Sequence, residues 1–175
     1  MATHLILVDE RNSPVGSASW EEAHSLPSGI LHRAFSVYVF RKIGTEILIQ
    51  RRSASKLFAG LWANSCCSHP REGEDIIDVA PRRLKEELGF TCTLTPVGDF
   101  VYRAVDPSGK GAEHEHVTIF RGDVDDDVAV TANAQEVAEW KWVSVEELRR
   151  DMKKHPDRFA PWFHSGLNRI LSPEH

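Results

Sequence analysis

Cysteine is scarce in this chain of 175 residues: only Cys66, Cys67 and Cys92. An odd count that includes two adjacent residues does not make a disulfide framework. A reducing, cytoplasmic compartment is therefore expected, with thiols free to do chemistry. Also missing is any apolar run near the ~20 residues that cross a bilayer, so no membrane partner is expected. Met1 to Glu10 contain no basic segment leading into an apolar stretch, and no signal peptide is expected. Positive charge is in short supply too: 21 Lys and Arg stand against 26 Asp and Glu, a net charge of −5. That balance argues against nucleic acid, whose binders usually carry a basic surface. There is no internal repeat, no low-complexity tract and no evident linker. What remains is the profile of one globular domain, 1–175, long enough to bury a real core. The sequence leaves open a monomer or a small homo-oligomer.

Strand and helix signals alternate along the chain. Leu5 to Val8 reads as a first strand, and Asp9 to Ser13 as a turn ahead of Pro14 and Gly16. Trp20 to Ala23 reads as a short helix or loop carrying His24. Arg33 to Phe40 predicts a strand with Phe35, Val37 and Val39 on one face and Ser36, Tyr38 and Phe40 on the other. Gly44 turns the chain so that Glu46 to Arg51 pairs back as a hairpin. Ser53 to His69 lacks periodicity and reads as a long functional loop. Asp75 to Leu88 is the strongest helix, with Asp75 as cap, Ile77, Ala80, Leu84 and Leu88 on an apolar stripe, and Gly89 just past its end. Pro81 sits inside it, where a kink is one expectation. Val97 to Ala104 and Val117 to Val124 read as strands flanking the turn Asp106-Pro107-Ser108-Gly109. Glu139 to Val143 adds a strand, and Val145 to Lys154 and Pro161 to Leu171 add helices. The fold class is α+β: a mixed β-sheet with helices packed on its faces.

Chemistry-bearing residues gather in two places. Cys67-Ser68-His69 runs into the carboxylate-rich stretch Arg82-Arg83-Leu84-Lys85-Glu86-Glu87-Leu88-Gly89, and Glu113-His114-Glu115-His116 follows later. A thiol, imidazoles and carboxylates together are the inventory of a metal-dependent acid/base site. Taken singly, each has a plainer reading. A free cysteine is most often a small buried apolar residue, and paired acids are most often solvated. Glu113 and Glu115 are two apart, so in extended chain they face the same way. Arg83 lies four residues before Glu87, on one helical face.

The stretch from Cys67 to Gly89 resembles the Nudix signature. Ser68 stands at its first glycine, while Glu74, Arg82, Leu84, Glu86, Glu87, Gly89 and Phe90 match, and Arg83 replaces a signature glutamate. Segments from Leu31-His32, Ala34-Phe35-Ser36, Arg51-Arg52 and Ser55-Lys56 through Asn64-Ser65, Cys67, His69-Pro70, Tyr102-Arg103-Ala104 and Pro161-Trp162 resemble the type I isopentenyl-diphosphate isomerases, built on the Nudix fold. They run in that family's order across about residues 4–171.

The resemblance implies an enzyme that moves the double bond of isopentenyl diphosphate to give dimethylallyl diphosphate, in isoprenoid precursor biosynthesis. It implies Cys67 and Glu115 as proton-transfer partners, Tyr102 hydrogen-bonded to the acid/base carboxylate, and Trp162 laid against a carbocation. It implies His24, His32, His69, Glu113 and Glu115 as ligands of Mn2+ or Mg2+, and Glu87 as the holder of a second ion, Mg2+, that bridges to the diphosphate. Arg52, Lys56 and Arg83 are implied as diphosphate anchors. Cys66 is assigned to packing and Arg51 to solvent. The competing readings are a Nudix hydrolase of a nucleoside-diphosphate derivative, which Arg83 argues against, and a non-catalytic metal-binding module indifferent to loss of Cys67.

Overall fold

The computed structural model describes residues 4–172. Its strands are β1 (His4–Val8), β2 (Pro14–Ser19), β3 (His32–Arg41), β4 (Glu46–Arg52), β5 (Trp62–Ala63), β6 (Cys66–Ser68), β7 (Leu94–Val105), β8 (Ala112–Asp123) and β9 (Val137–Ser144). Its helices are α1 (Trp20–Ala23), α2 (Ile76–Leu88), α3 (Val145–Lys154) and α4 (Pro161–Leu171).

β3 is the centre of the sheet. It runs parallel to β8 from His32 opposite Glu115 to Phe40 opposite Asp123. It pairs antiparallel with β4 at one end and with β6 along Phe35–Val37. β7 pairs with β8, β9 with β4, and the β1–β2 hairpin closes one side. The alternation read from β3 is realised with both faces buried. Ala34, Tyr38 and Phe40 enter one core with α4 residues Trp162, Phe163 and Leu167, whereas Phe35, Val37 and Val39 enter another with α2 residues Val79, Ala80, Leu84 and Leu88. The sheet is thus sandwiched between α2 and α4, the arrangement that buries two apolar faces at once.

α2 begins as its sequence directs. The Asp75 carboxylate accepts from the Ile77 N–H at 2.9 Å, and Gly89 closes the helix in the left-handed region at φ 81°. A Cβ at Gly89 would lie 2.8 Å from the Thr131 backbone oxygen, so glycine is required twice over. The helix runs through Pro81 unbroken. Pro81 has no N–H to offer the Ile77 carbonyl, and Ile77 itself is 52% exposed. That exposure also corrects the apolar stripe: Val79, not Ile77, is the buried residue there.

Pro14–Ser19, which received no element in the sequence, is the edge strand β2. Two other expectations change. The Ser53–His69 segment carries β5 and β6, each too short to show a period. β8 starts at Ala112 rather than Val117, so Glu113 and Glu115 lie on a strand. No described helix is long and apolar enough to cross a membrane.

Candidate active site

β3, β6 and β8 lie side by side, and their registers assemble the polar cluster. His32 opens β3 opposite Glu115. Phe35 of β3 pairs with Ser68, which brings His69 to the same end. His24 follows α1 and is tied to β8 by its backbone oxygen, which accepts from the Ala112 N–H at 2.9 Å. Gly111 makes this approach possible, since a Cβ there would sit 2.9 Å from the same oxygen. The rings of His24, His32 and His69 then lie 4.7 to 5.3 Å apart, and Trp20 stacks on His24 at 4.3 Å.

His24, His32, His69, Glu113 and Glu115 bring one donor atom each within 4.8 Å of one another. Backbone carbonyls fix two of the rings. His24 Nδ1 meets Trp20 O at 2.8 Å and His32 Nδ1 meets Ile30 O at 2.7 Å. A carbonyl accepts only, so each Nδ1 carries the hydrogen, and in the neutral ring each Nε2 turns a lone pair inward. His24 Nε2, His32 Nε2 and Glu113 Oε2 are buried without a hydrogen-bond partner. His24 Nε2 and Glu113 Oε2 are 3.1 Å apart but misaligned for a hydrogen bond. Buried polar atoms are seldom orphaned, and carbonyl-oriented imidazoles are the usual second layer of a metal site. The donor set fits a divalent metal ion.

Burial and neighbouring groups shift the ionisation of this cluster. Burial pushes His69 down to about 4, against the opposing pull of Glu115 at 2.6 Å, which keeps the ring neutral. Burial also opposes ionisation of Glu115, but the His32 and His69 imidazoles beside it outweigh burial and hold its carboxyl well below the usual range. Burial and the charge of Glu115 raise Glu113. The Tyr102 hydroxyl donates to Glu115 Oε2 at 2.8 Å.

A cavity of about 400 Å³ opens beside the cluster. Of the catalytic, metal and diphosphate-binding residues expected from the resemblance, all line it except His32 and Glu87, which are buried. Cys67 faces it. Its thiol donates to Asn64 Oδ1 at 3.0 Å and lies 3.4 Å from Ser36 Oγ. Burial pushes this thiol up to about 11 although Arg52 works against the shift. Trp162 forms a buried wall, with the Arg52 guanidinium 5.0 Å from its ring centre. Cys66 is fully buried in the α2 core, and Arg51 is half exposed.

Cations line the same cavity. The Arg83 guanidinium contacts Glu87 Oε1 at 2.9 Å and Glu136 Oε2 at 2.6 Å, and Lys56 Nζ meets the same Glu136 oxygen at 2.6 Å. Glu87 is buried and also accepts from Gln50 Nε2 at 3.0 Å. Burial raises its carboxyl despite Lys56 and Arg83. Glu86 stays outside, paired with Arg82 and Arg83. Sequence reasoning missed Glu136, Trp20 and the role of Asn64. Glu136 meets its partners only through the fold; Trp20 stacks on His24 four residues on, and Asn64, matched only as part of a family segment, reaches Trp162 only through the fold.

Comparison with known proteins agrees with this geometry. The NUDIX domain family model matches residues 30–163. An isopentenyl-diphosphate Delta-isomerase 2 of Photorhabdus laumondii is 42% identical over 94% of this chain and 90% of its own length. An isopentenyl-diphosphate Delta-isomerase of Burkholderia multivorans is 43% identical over 99% and 96%. Among solved structures, a Deinococcus radiodurans protein superposes with a TM-score of 0.67 at 20% identity, covering 86% of this chain and 89% of that one, a likeness of fold alone. The chain belongs to the Nudix family and, within it, to the isopentenyl-diphosphate Delta-isomerases.

Proposed function

We propose that this enzyme interconverts isopentenyl diphosphate and dimethylallyl diphosphate by adding a proton to the alkene and removing one from the neighbouring carbon. The observation that carries the reading is one cavity lined by a thiol, a tyrosine-bound carboxylate within a His/Glu cluster, and the cations Arg52, Lys56 and Arg83. Cys67 and Glu115 are the proposed proton-transfer pair. The Tyr102 hydroxyl holds Glu115 by one oxygen and orients it. The Trp162 ring gives the developing cation an apolar, electron-rich wall. Arg52, Lys56 and Arg83 bind the diphosphate, and Arg83 and Lys56 exchange the Glu136 carboxylate for phosphate oxygens as substrate enters.

His24, His32, His69, Glu113 and Glu115 are the proposed ligands of Mn2+ or Mg2+, and Glu87 the proposed holder of a diphosphate-bound Mg2+. Bound metal supplies positive charge that lowers the proton affinity of the carboxylates and steadies the diphosphate. Arg83 stands where the Nudix signature has a glutamate, which takes one carboxylate from the set a hydrolase needs. Three unpaired cysteines support a cytoplasmic setting. One chain supplies every proposed residue, as a monomer or a small homo-oligomer would.

The reading is tested by quenching the reaction in acid, in which an allylic diphosphate ionises and a homoallylic one does not. Acid-labile product formed by the parent but not by Glu115→Gln supports it. Release of orthophosphate in place of an allylic product contradicts it.

A further inference from the structure

Asn64 sits between two of the groups that the proposed isomerase reaction uses, and it touches no cation. It is fully buried. Its Nδ2 donates to Val37 O at 3.1 Å and to Cys66 O at 3.0 Å. Those two carbonyls accept only, so they consume both amide hydrogens and fix which way the carboxamide points. The oxygen is thereby aimed at two donors. The Cys67 thiol reaches it at 3.0 Å and the Trp162 indole N–H at 3.1 Å. All four hydrogen-bonding positions of the side chain are in use. One carboxamide thus ties β6, which carries Cys67, to α4, which carries Trp162, and anchors both to the backbone of the central strand β3.

We infer that Asn64 is a positioning residue that sets the proton-transfer thiol of Cys67 and the ring of Trp162 against each other through a single shared acceptor. The thiol hydrogen is held on Asn64 Oδ1, which turns the sulfur lone pairs toward the other walls. The same oxygen holds the indole, and so fixes the tilt of the ring that faces the cavity. Because one oxygen serves both donors, loss of either donor strengthens the bond to the other.

This inference rests on the proposed reaction, but its test does not need turnover. The S–H stretch of Cys67 is identified in the infrared as the band that Cys67→Ala removes. In Trp162→Phe, which keeps a ring and deletes only the N–H side, that band moves to lower wavenumber because the oxygen then serves the thiol alone. In Asn64→Leu it moves to higher wavenumber as the bond is lost. Bands unmoved in both variants overturn the inference, as does a Cys67→Ala difference spectrum with no band. In turnover, Asn64→Leu lowers kcat by ~10- to 100-fold, the scale of a misplaced reacting group. KM stays near that of the parent because the diphosphate anchors lie elsewhere. A kcat equal to the parent's, or a loss confined to KM, overturns it. If the parent enzyme itself does not isomerise, the reaction assignment fails, and the infrared shifts still decide whether the acceptor is shared.

Discussion

Replacing Asp106 by Asn tests how the loop that carries Lys56 is held. Asp106 follows β7 and is buried. Its Oδ2 accepts from the Phe58 N–H at 2.7 Å, and its Oδ1 accepts from the Ser108 N–H and hydroxyl, both at 2.7 Å. Phe58 has φ 56°, a left-handed conformation that a bulky side chain rarely adopts, so this bond holds the backbone where it would otherwise relax. An asparagine can keep only one side as acceptor. Either orientation of its carboxamide loses one backbone N–H bond and keeps two, since the Ser108 hydroxyl can accept as well as donate. The lost charge-assisted bond costs about 1.5–3 kcal/mol, and the two that remain lose their charge assistance. A total near 3 kcal/mol lowers Tm by roughly 6–12 °C in a domain of this size. The pH dependence has a definite sign. Burial opposes ionisation of Asp106, but its hydrogen bonds outweigh it and hold the carboxyl below its usual value of 3.8. The bonds therefore stabilise the fold fully above the unfolded value and less as pH falls through the folded one. Urea melts of parent and variant at neutral pH and at about pH 3 check this, the gap being wide at the first and narrower at the second. A gap below about 1 kcal/mol at neutral pH, or one that does not narrow in acid, refutes the reasoning.

The metal reading predicts that Mn2+ raises Tm, by about 2.7 kcal/mol of added stability at a hundredfold excess over Kd. Differential scanning calorimetry reads the shift, and Glu113→Gln abolishes most of it by replacing an anionic donor of the cluster with a neutral amide oxygen. Cys67→Ala abolishes turnover with fold and metal content intact; near-parental turnover in that variant sinks the assignment of the thiol. Thiol alkylators inactivate the enzyme at Cys67, and prior substrate protects it, as peptide mapping of the labelled residue shows; labelling that tracks Cys92 instead contradicts this. Gly89→Ala destabilises by at least ~1–2 kcal/mol from its left-handed backbone alone, before the collision with Thr131, measured as a lowered urea midpoint.

The parts of this fold that were legible in the sequence are those governed by local rules. The alternation of β3, the Asp75 cap and Gly89 terminus of α2, and the bounds of α3 and α4 follow from periodicity and capping. β2, β5 and β6 were not legible because two are shorter than any period and the third is an edge strand with no apolar alternation. The same division holds at the site. The imidazoles and carboxylates stood out by type and by order along the chain. Glu136 did not, because its partners Lys56 and Arg83 are 80 and 53 residues away. Asn64 stood out only as part of the Asn64-Ser65 segment; its bond to Trp162, 98 residues distant, did not. Such pairings exist only once the sheet registers are set.

The measurement that bears most directly on the account is proton NMR of isopentenyl diphosphate in D2O with the purified enzyme and Mg2+, with and without Mn2+. Dimethylallyl signals should grow with deuterium entering the product, and EDTA should silence them. A spectrum that stays unchanged under every metal condition would contradict the isomerase reading.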